Sequence, residues 1–364
     1  MRKFVETMLI AALGGAAFVY ANFPAGWMAG ALVFVAIAAL IGRPMHVPAL
    51  ATRLFFFVLG VIVGGVATPE TVRGMSTWPA SIALISVGML AITAASAMYL
   101  RLFHRWDVQT SMFASVPGAL SQVSAMAAER NSDLRAIVIV QTLRVVMLAV
   151  GIPGGLALLG LAAPARLPEG AFSAFDAPWQ FAILFGGSVV AALVLYAIKF
   201  SGGFFFGPMV VSAILHGSGL VQVNFPAVIG NIAMIGLGAI NGARFFGTSF
   251  RVLLQYAVAA LGSFAIALLV AAVFVTFAAF MFSLPVPDLV AAYAPGAVDV
   301  MMILALALHL DPVFVGAHHL ARMLVVSLAL PVMARLTDPP AAKPKSPPEP
   351  LPEPLETARE KLED

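Results

Sequence analysis

The sequence predicts an all-α fold: a polytopic bundle of transmembrane helices made of two homologous repeats. Three observations predict it. The chain is 61% hydrophobic and only 10% charged, with a mean hydropathy of +1.00, whereas a soluble domain is about 25% charged. Apolar segments long enough to cross a bilayer, which takes about 20 residues, recur along almost the whole length. The same Pro-Gly-Ala break occurs twice, in SVPGALSQ at 115–122 and in YAPGAVDV at 293–300.

The apolar segments fall at 4–21, 26–42, 50–68, 78–100, 108–128 and 134–162, then at 179–198, 203–220, 226–243, 252–283, 289–308 and 312–336. This organises the chain as a first membrane repeat at 1–162, a loop at 163–178, a second repeat at 179–336 and a tail at 337–364. The tail is rich in Pro, Lys and Glu and is expected to be extended and disordered. The N-terminus mimics a signal peptide, with Arg2 and Lys3 ahead of an apolar run. Its LGGA at Leu13–Ala16 has a counterpart in FGGS at Phe185–Ser188, so the first helix reads as architecture rather than a cleaved leader.

The duplication shows in one register. With Pro117 laid on Pro295, Gly118 meets Gly296, Asp133 meets Asp311, Arg144 meets Arg322 and Pro153 meets Pro331, all 178 positions apart. Upstream, Gly60 meets Gly238, Gly64 meets Gly242 and Arg73 meets Arg251 at the same offset. Matched Pro, Gly, Asp and Arg carry weight in so apolar a composition, where matched Ala or Leu would not.

These motifs resemble a known family. FPAGWMAGALVF at Phe23–Phe34, LGVIVGG at Leu59–Gly65, SVPGALSQV at Ser115–Val123 and the run from Asp133 to QTLR at Arg144 look like the AbrB family of bacterial membrane proteins. The resemblance covers roughly residues 1–336 and implies a duplicated hydrophobic region. Members carry labels such as transcriptional regulator or ammonia monooxygenase. No molecular activity comes with the resemblance.

Charge placement bears on the orientation of the repeats. If all twelve segments span, the repeats are parallel and six basic positions break the positive-inside rule. If 108–128 and 289–308 dip in and return, the repeats are inverted with five spans each. Only Arg73 and Arg166 then lie outside. The inverted arrangement is favoured. It puts the N-terminus and the tail in the cytoplasm of a bacterium, with the chain multi-pass in the inner membrane.

Proline removes a helix hydrogen bond, and irregular backbone survives at membrane depth only against protein or a water-lined cavity. Paired breaks in corresponding segments therefore point to a transport site. The expected site comprises Ser115, Pro117, Gly118, Ser121 and Gln122 of one half and Pro295, Gly296 and Asp299 of the other. Gln141 and Arg144, and His319 and Arg322, add a polar stripe in each half, at spacings that share a helix face. Asp299 either binds a proton or sodium ion or caps the half-helix after the break. Arg144 and Arg322 either hold an anionic solute, pair with Asp299, or bond the carbonyls that the breaks free. Asp133 and Asp311 read as helix N-caps.

The expected function is an ion-coupled secondary transporter of a small, anionic solute, with H+ or Na+ as partner. The alternative is a membrane protein that regulates expression through a partner. No cysteine, no clustered His ligands and no nucleotide-binding loop occur. An enzyme, a metal or other cofactor and an ATP-driven pump are therefore not expected. No basic recognition element for direct nucleic-acid contact is found. The small-residue face at Ala11–Ala17 suits internal packing or a homodimer.

Overall fold

The computed structural model describes residues 2–67, 69, 73, 75–118, 120–130, 132–158, 177–200, 202–223 and 225–337, the side chains of Ser121, Ala125, Glu129, 156–158 and Leu336 excepted. The tail beyond Thr337, and all but the end of the loop at 163–178, lie outside the described residues. The described chain forms fourteen α-helices and one short 3-10 turn at Met75–Thr77. The first seven are α1 (Arg2–Tyr20), α2 (Gly26–Leu40), α3 (Ala49–Gly64), α4 (Pro79–His104), α5 (Val108–Ser115), α6 (Leu120–Glu129) and α7 (Leu134–Leu158). The second seven are α8 (Pro178–Ala197), α9 (Gly203–Gly217), α10 (Ala227–Ala243), α11 (Phe250–Phe282), α12 (Val286–Tyr293), α13 (Val298–Ala307) and α14 (Pro312–Leu336).

Among the described residues, six helices (α1, α4, α7, α8, α11 and α14) are long and apolar enough to cross a bilayer. The apolar helices α2, α3, α9 and α10 run 15–17 residues, or about 22–26 Å at 1.5 Å per residue. That is short of the ~30 Å core, a mismatch relieved by local thinning or snorkelling flanks. Both segments that carry the Pro-Gly breaks are split into pairs of short helices, α5/α6 and α12/α13.

Polar side chains fix the ends of these pieces. Asp107 caps α5, accepting from Thr110 N at 2.8 Å. Asp133 accepts from Ala136 N at 3.0 Å at the start of α7. Asp311 accepts from Val313 N at 2.9 Å and Phe314 N at 3.0 Å, with Pro312 at the first position of α14. A second bond ties the ends of each broken pair together. Asp133 N donates to Thr110 Oγ1 at 3.0 Å, and Asp311 N donates to Asp288 Oδ1 at 2.8 Å. Each broken pair is thus a hairpin whose entrance and exit lie side by side.

Helix packing divides into two layers. In one, α1 packs on α2, α8 on α9, α3 on α9, α2 on α10, and α3 on α10. In the other, α4 packs on α11, with α5, α7, α12 and α14 laid against them. Close contact between the layers is confined, among the described residues, to α3 with α13 and α14, and α7 with α2 and α10. Glycines set the closeness inside the first layer. Gly60 and Gly64 of α3 lie on Phe205 and Met209 of α9. Gly238 and Gly242 of α10 lie on Met28 and Leu32 of α2. Residue numbers rise together in both contacts, so those pairs are parallel. By contrast α4 and α11 are antiparallel, with Gly88 against Phe274 and Tyr99 against Gly262.

Lipid supplies no hydrophobic drive between helices, so this close backbone approach carries much of the association. Gly60→Val places a methyl-bearing carbon against the Phe205 carbonyl and is expected to cost about 1–3 kcal/mol, as overpacking does. Thermal unfolding in detergent measures it, with Gly186→Ala, which meets nothing within 4 Å, leaving the transition unchanged.

Candidate functional site

The two breaks meet. Gly118 adopts φ +82°, a left-handed conformation suited to glycine, and a Cβ placed there would lie 3.5 Å from the Gly296 carbonyl and 3.5 Å from Arg322 Nη2. A cavity of about 230 Å³ opens beside them. Its walls include Pro117, Gly118, Leu120 and Gln122 from the first hairpin, and Pro295, Gly296, Ala297, Val298 and Asp299 from the second. Gln141 and Arg144 of α7 and Met323 of α14 add to this side. The other layer contributes Phe56, Gly202, Phe205, Phe206 and Arg244.

The arginines of the polar stripes serve the breaks. A helix end leaves its last four carbonyls without intrahelical partners, and in α5 each of these is answered. Met112 O accepts from Val116 N at 3.2 Å and Phe113 O from Gln141 Nε2 at 2.8 Å. Ser115 O accepts from Arg144 Nη1 at 3.1 Å and Ala114 O from Arg144 Nη2 at 3.4 Å. In the second half, Arg322 donates to Ala294 O at 2.8 Å and to Gly296 O at 2.6 Å. His319 takes the place of Gln141. Its Nδ1 accepts from Arg322 at 2.6 Å, which leaves Nε2–H to donate to Ala291 O at 3.1 Å. Phe113 and Ala291 are themselves 178 positions apart. Both arginines are only 2% exposed, and Arg144 Nε has no partner among the described residues.

Some expected site residues therefore face the backbone rather than the cavity. Ser115 donates to Ser111 O and lends its carbonyl to Arg144. His319 and Arg322 do not form the cavity wall, whereas Gln122, Gln141, Arg144 and Asp299 do. Gln122 also accepts from Ser327 Oγ at 3.0 Å. The side chain of Ser121 lies outside the described residues. Pairing of Arg322 with Asp299 is not seen. Within 4 Å the one ion pair among the described residues is Arg43–Glu6, at the surface. Asp299 is not the N-cap of α13, since Ala297 holds that place without a side-chain bond. It sits in the first turn, over the N–H groups of Asp299 and Val300.

The cation that faces Asp299 electrostatically is Arg244, just beyond α10. Sequence reasoning treated Arg244 only as a topology charge. Its counterpart 178 positions earlier is Val66, so the repeat gave no signal for it. His318, beside His319, points elsewhere. Its Nδ1 lies 2.8 Å from Phe314 O, and its Nε2 shares a 2.7 Å hydrogen bond with Ser81 Oγ. Tyr293 donates to Ser81 O at 2.8 Å, so α12 and α14 are both tied to α4.

A second, almost wholly apolar cavity of about 450 Å³ lies between Met209, Ala213 and Gly217 of α9, with Ser218 just beyond it, and Val313, Ala317 and Leu320 of α14. Exchange of the two halves relates the closely packed pairs α3/α14 and α10/α7, and likewise α1/α10 and α8/α3. The pairs α3/α13 and α2/α7 break this rule. They pack closely, while their counterparts α10/α6 and α9/α14 do not do so among the described residues. The apolar cavity lies in the α9/α14 seam, and the smaller one, beside Leu120 and Gln122 of α6 and Arg244 beyond α10, reaches also to Phe56 of α3 and Val298 of α13.

Comparison with known proteins adds the following. The chain is 24% identical to the "Uncharacterized protein YhjN" of Bacillus subtilis (strain 168) over 357 residues, which is 90% of this chain and 91% of that protein. No solved structure matches. The sequence profile described as "Transition state regulatory protein AbrB" matches residues 27–338, and with its apolar helices this multi-pass membrane protein belongs to the AbrB family.

Proposed function

We propose that the protein is a secondary transporter, not an enzyme, and that it moves a small anionic solute through the seam between its two layers. One observation carries the proposal. The apolar cavity lies in the α9/α14 seam, whereas the seam related to it by exchange of the halves, α2/α7, is closely packed, and a second cavity opens where the two breaks face the first layer. Exchanging which of those two seams is closed would transfer access from one to the other, as alternating access requires. The inverted arrangement supports this. The corresponding helices α4 and α11 run antiparallel, as inversion demands, and the bonds from Asp133 to Thr110 and from Asp311 to Asp288 suit hairpins that re-enter. On this reading the basic loops place the N-terminus in the cytoplasm of a bacterial inner membrane. The words "transition state regulatory" in the family description fit a solute that influences expression as well as a membrane protein that regulates expression through a partner.

The chain lacks cysteine, so introduced thiols report cleanly. Oxidation of a Ser218→Cys/Val313→Cys pair, which faces across the α9/α14 seam, is expected to form a disulfide as that seam closes. It should stop uptake by proteoliposomes until reductant is added. A seam that never closes would sink the alternating reading. Single cysteines at Ser132 and Ser283 test orientation, with impermeant thiol reagents on intact cells expected to label Ser283→Cys and to spare Ser132→Cys. The reverse pattern favours parallel repeats.

The two kinds of arginine should separate by stability. Arg322→Ala leaves the Ala294 and Gly296 carbonyls unanswered, at a cost of about 1–3 kcal/mol for each buried group. Arg244→Ala frees no carbonyl among the described residues and should unfold at the wild-type temperature. Differential scanning fluorimetry on the purified protein decides it.

A further inference from the structure

We infer that Arg244 and Asp299 form a carboxylate-binding, proton-coupled pair: Arg244 binds the carboxylate of a small organic monocarboxylate, and Asp299 takes up one proton as that anion enters. This rests on the transporter reading for its purpose but not for its chemistry.

Arg244 makes no hydrogen bond or ion pair within 4 Å to a described residue, and its electrostatic partner is Asp299 across the cavity. It comes from the first layer, whereas Asp299 stands on α13 in the second. The other cations nearby are committed. Arg144 and Arg322 hold carbonyls of the broken helices, although the buried Nε of Arg144, a wall residue of the cavity, is left unpartnered. The helices packed on α13 supply no other carboxylate facing Asp299. α14 presents Arg322 and His319, α7 presents Arg144, α3 presents Phe56, and the Tyr293 hydroxyl of α12 is turned to Ser81.

Asp299 thus behaves as an internal anion. Its carboxylate occupies the field of Arg244 and the first N–H groups of α13, which are the groups an arriving carboxylate would use. Two carboxylates sharing one site do not both stay ionised. A bare extra charge at membrane depth is likewise costly. Entry of RCOO⁻ is therefore balanced by a proton from solvent that binds the Asp299 carboxylate, and the net charge of the cavity is unchanged. One uncommitted guanidinium suits one carboxylate. The remaining wall, with Phe56, Phe205, Phe206, Val145 and Met323, suits an apolar organic body rather than phosphate. The counterparts of Arg244 and Asp299 in the other half are Val66 and Ser121, so the pair belongs to this cavity alone.

The probe is sodium benzoate, titrated calorimetrically into the full-length protein in nanodiscs, in two buffers of different ionisation enthalpy near neutral pH. The wild-type comparison depends on no variant folding. Binding is expected with uptake of about one proton per benzoate. Asp299→Asn should still bind but take up none, and Arg244→Gln and Arg244→Lys should bind roughly tenfold or more weakly, as loss of a bidentate charged contact implies. Neutral benzamide should not compete. Absence of wild-type binding, binding without proton uptake, uptake unaltered by Asp299→Asn, or full affinity in both Arg244 variants each overturns the inference. Parallel proteoliposome uptake separates the two proposals. Benzoate bound with a proton but not moved defeats the transporter reading alone, and benzoate moved without a proton defeats this one alone.

Discussion

The structure depends on satisfying the peptide groups that two Pro-Gly breaks expose inside a membrane. No water is available in hydrocarbon to bond a free carbonyl, so irregular backbone persists only where protein answers it. Here Gln141 with Arg144, and His319 with Arg322, do so from equivalent positions one turn apart on α7 and α14. Because a guanidinium reaches two carbonyls at once, each arginine fixes both the end of a half-helix and the angle of the long helix that carries it. The hairpins can then meet at Gly118 and Gly296 without leaving broken backbone exposed to lipid. This accounts for arginine at a depth where a charge would otherwise be costly. Of the roles considered for these residues, bonding of the carbonyls that the breaks free is the one their hydrogen bonds display.

The fold was legible where covalent geometry forces it. Proline cannot continue a hydrogen-bond ladder, so Pro117 and Pro295 announced the breaks, and the shared offset announced that the breaks correspond. Asp133 and Asp311 were legible as caps because they stand just before helices. Spacing also put Gln141 with Arg144, and His319 with Arg322, on common faces. Spacing does not say what stands opposite that face, and a carbonyl two helices away in the chain leaves no mark in the sequence. Ser115 and His319 were accordingly expected at the cavity but bond backbone instead. Arg244 was passed over for a different reason. It lies outside the repeat pattern, at the end of an apolar helix, where a basic residue ordinarily marks topology. The division into two layers was not legible either, since it rests on which apolar faces meet.

Positions 178 residues apart can be compared within the same molecule, and where their contacts differ the difference is informative. The contact between Ser81 and His318 ties α4 to α14. At the equivalent positions, Ala259 and Val140 lie in one apolar cluster. Packing at this place is therefore possible without polar groups, and the hydrogen bonds add direction rather than bulk. They hold α14 to α4 and, through Tyr293, hold α12 as well. The second hairpin is in this way braced to α4, whereas the first is tied to α11 through Tyr256, which donates to Asp133 Oδ2 at 3.2 Å.

That bracing bears on how the layers can move. Contacts within each layer are dense and include backbone approaches at Gly60, Gly64, Gly238 and Gly242, which leave little room for sliding. Close contacts between layers involve few helices, and cavities open at the α9/α14 seam and beside the two breaks. A displacement is cheapest where fewest packed contacts must break, so the soft coordinate of this molecule is one layer against the other. The hairpins ride with the second layer because Arg144, Arg322 and Ser81 bind them to it, whereas Arg244 rides with the first. Movement along that coordinate necessarily changes the separation of Arg244 from Asp299. In the proposed transporter, the state of the cavity and the position of the layers would each bias the other through this pair.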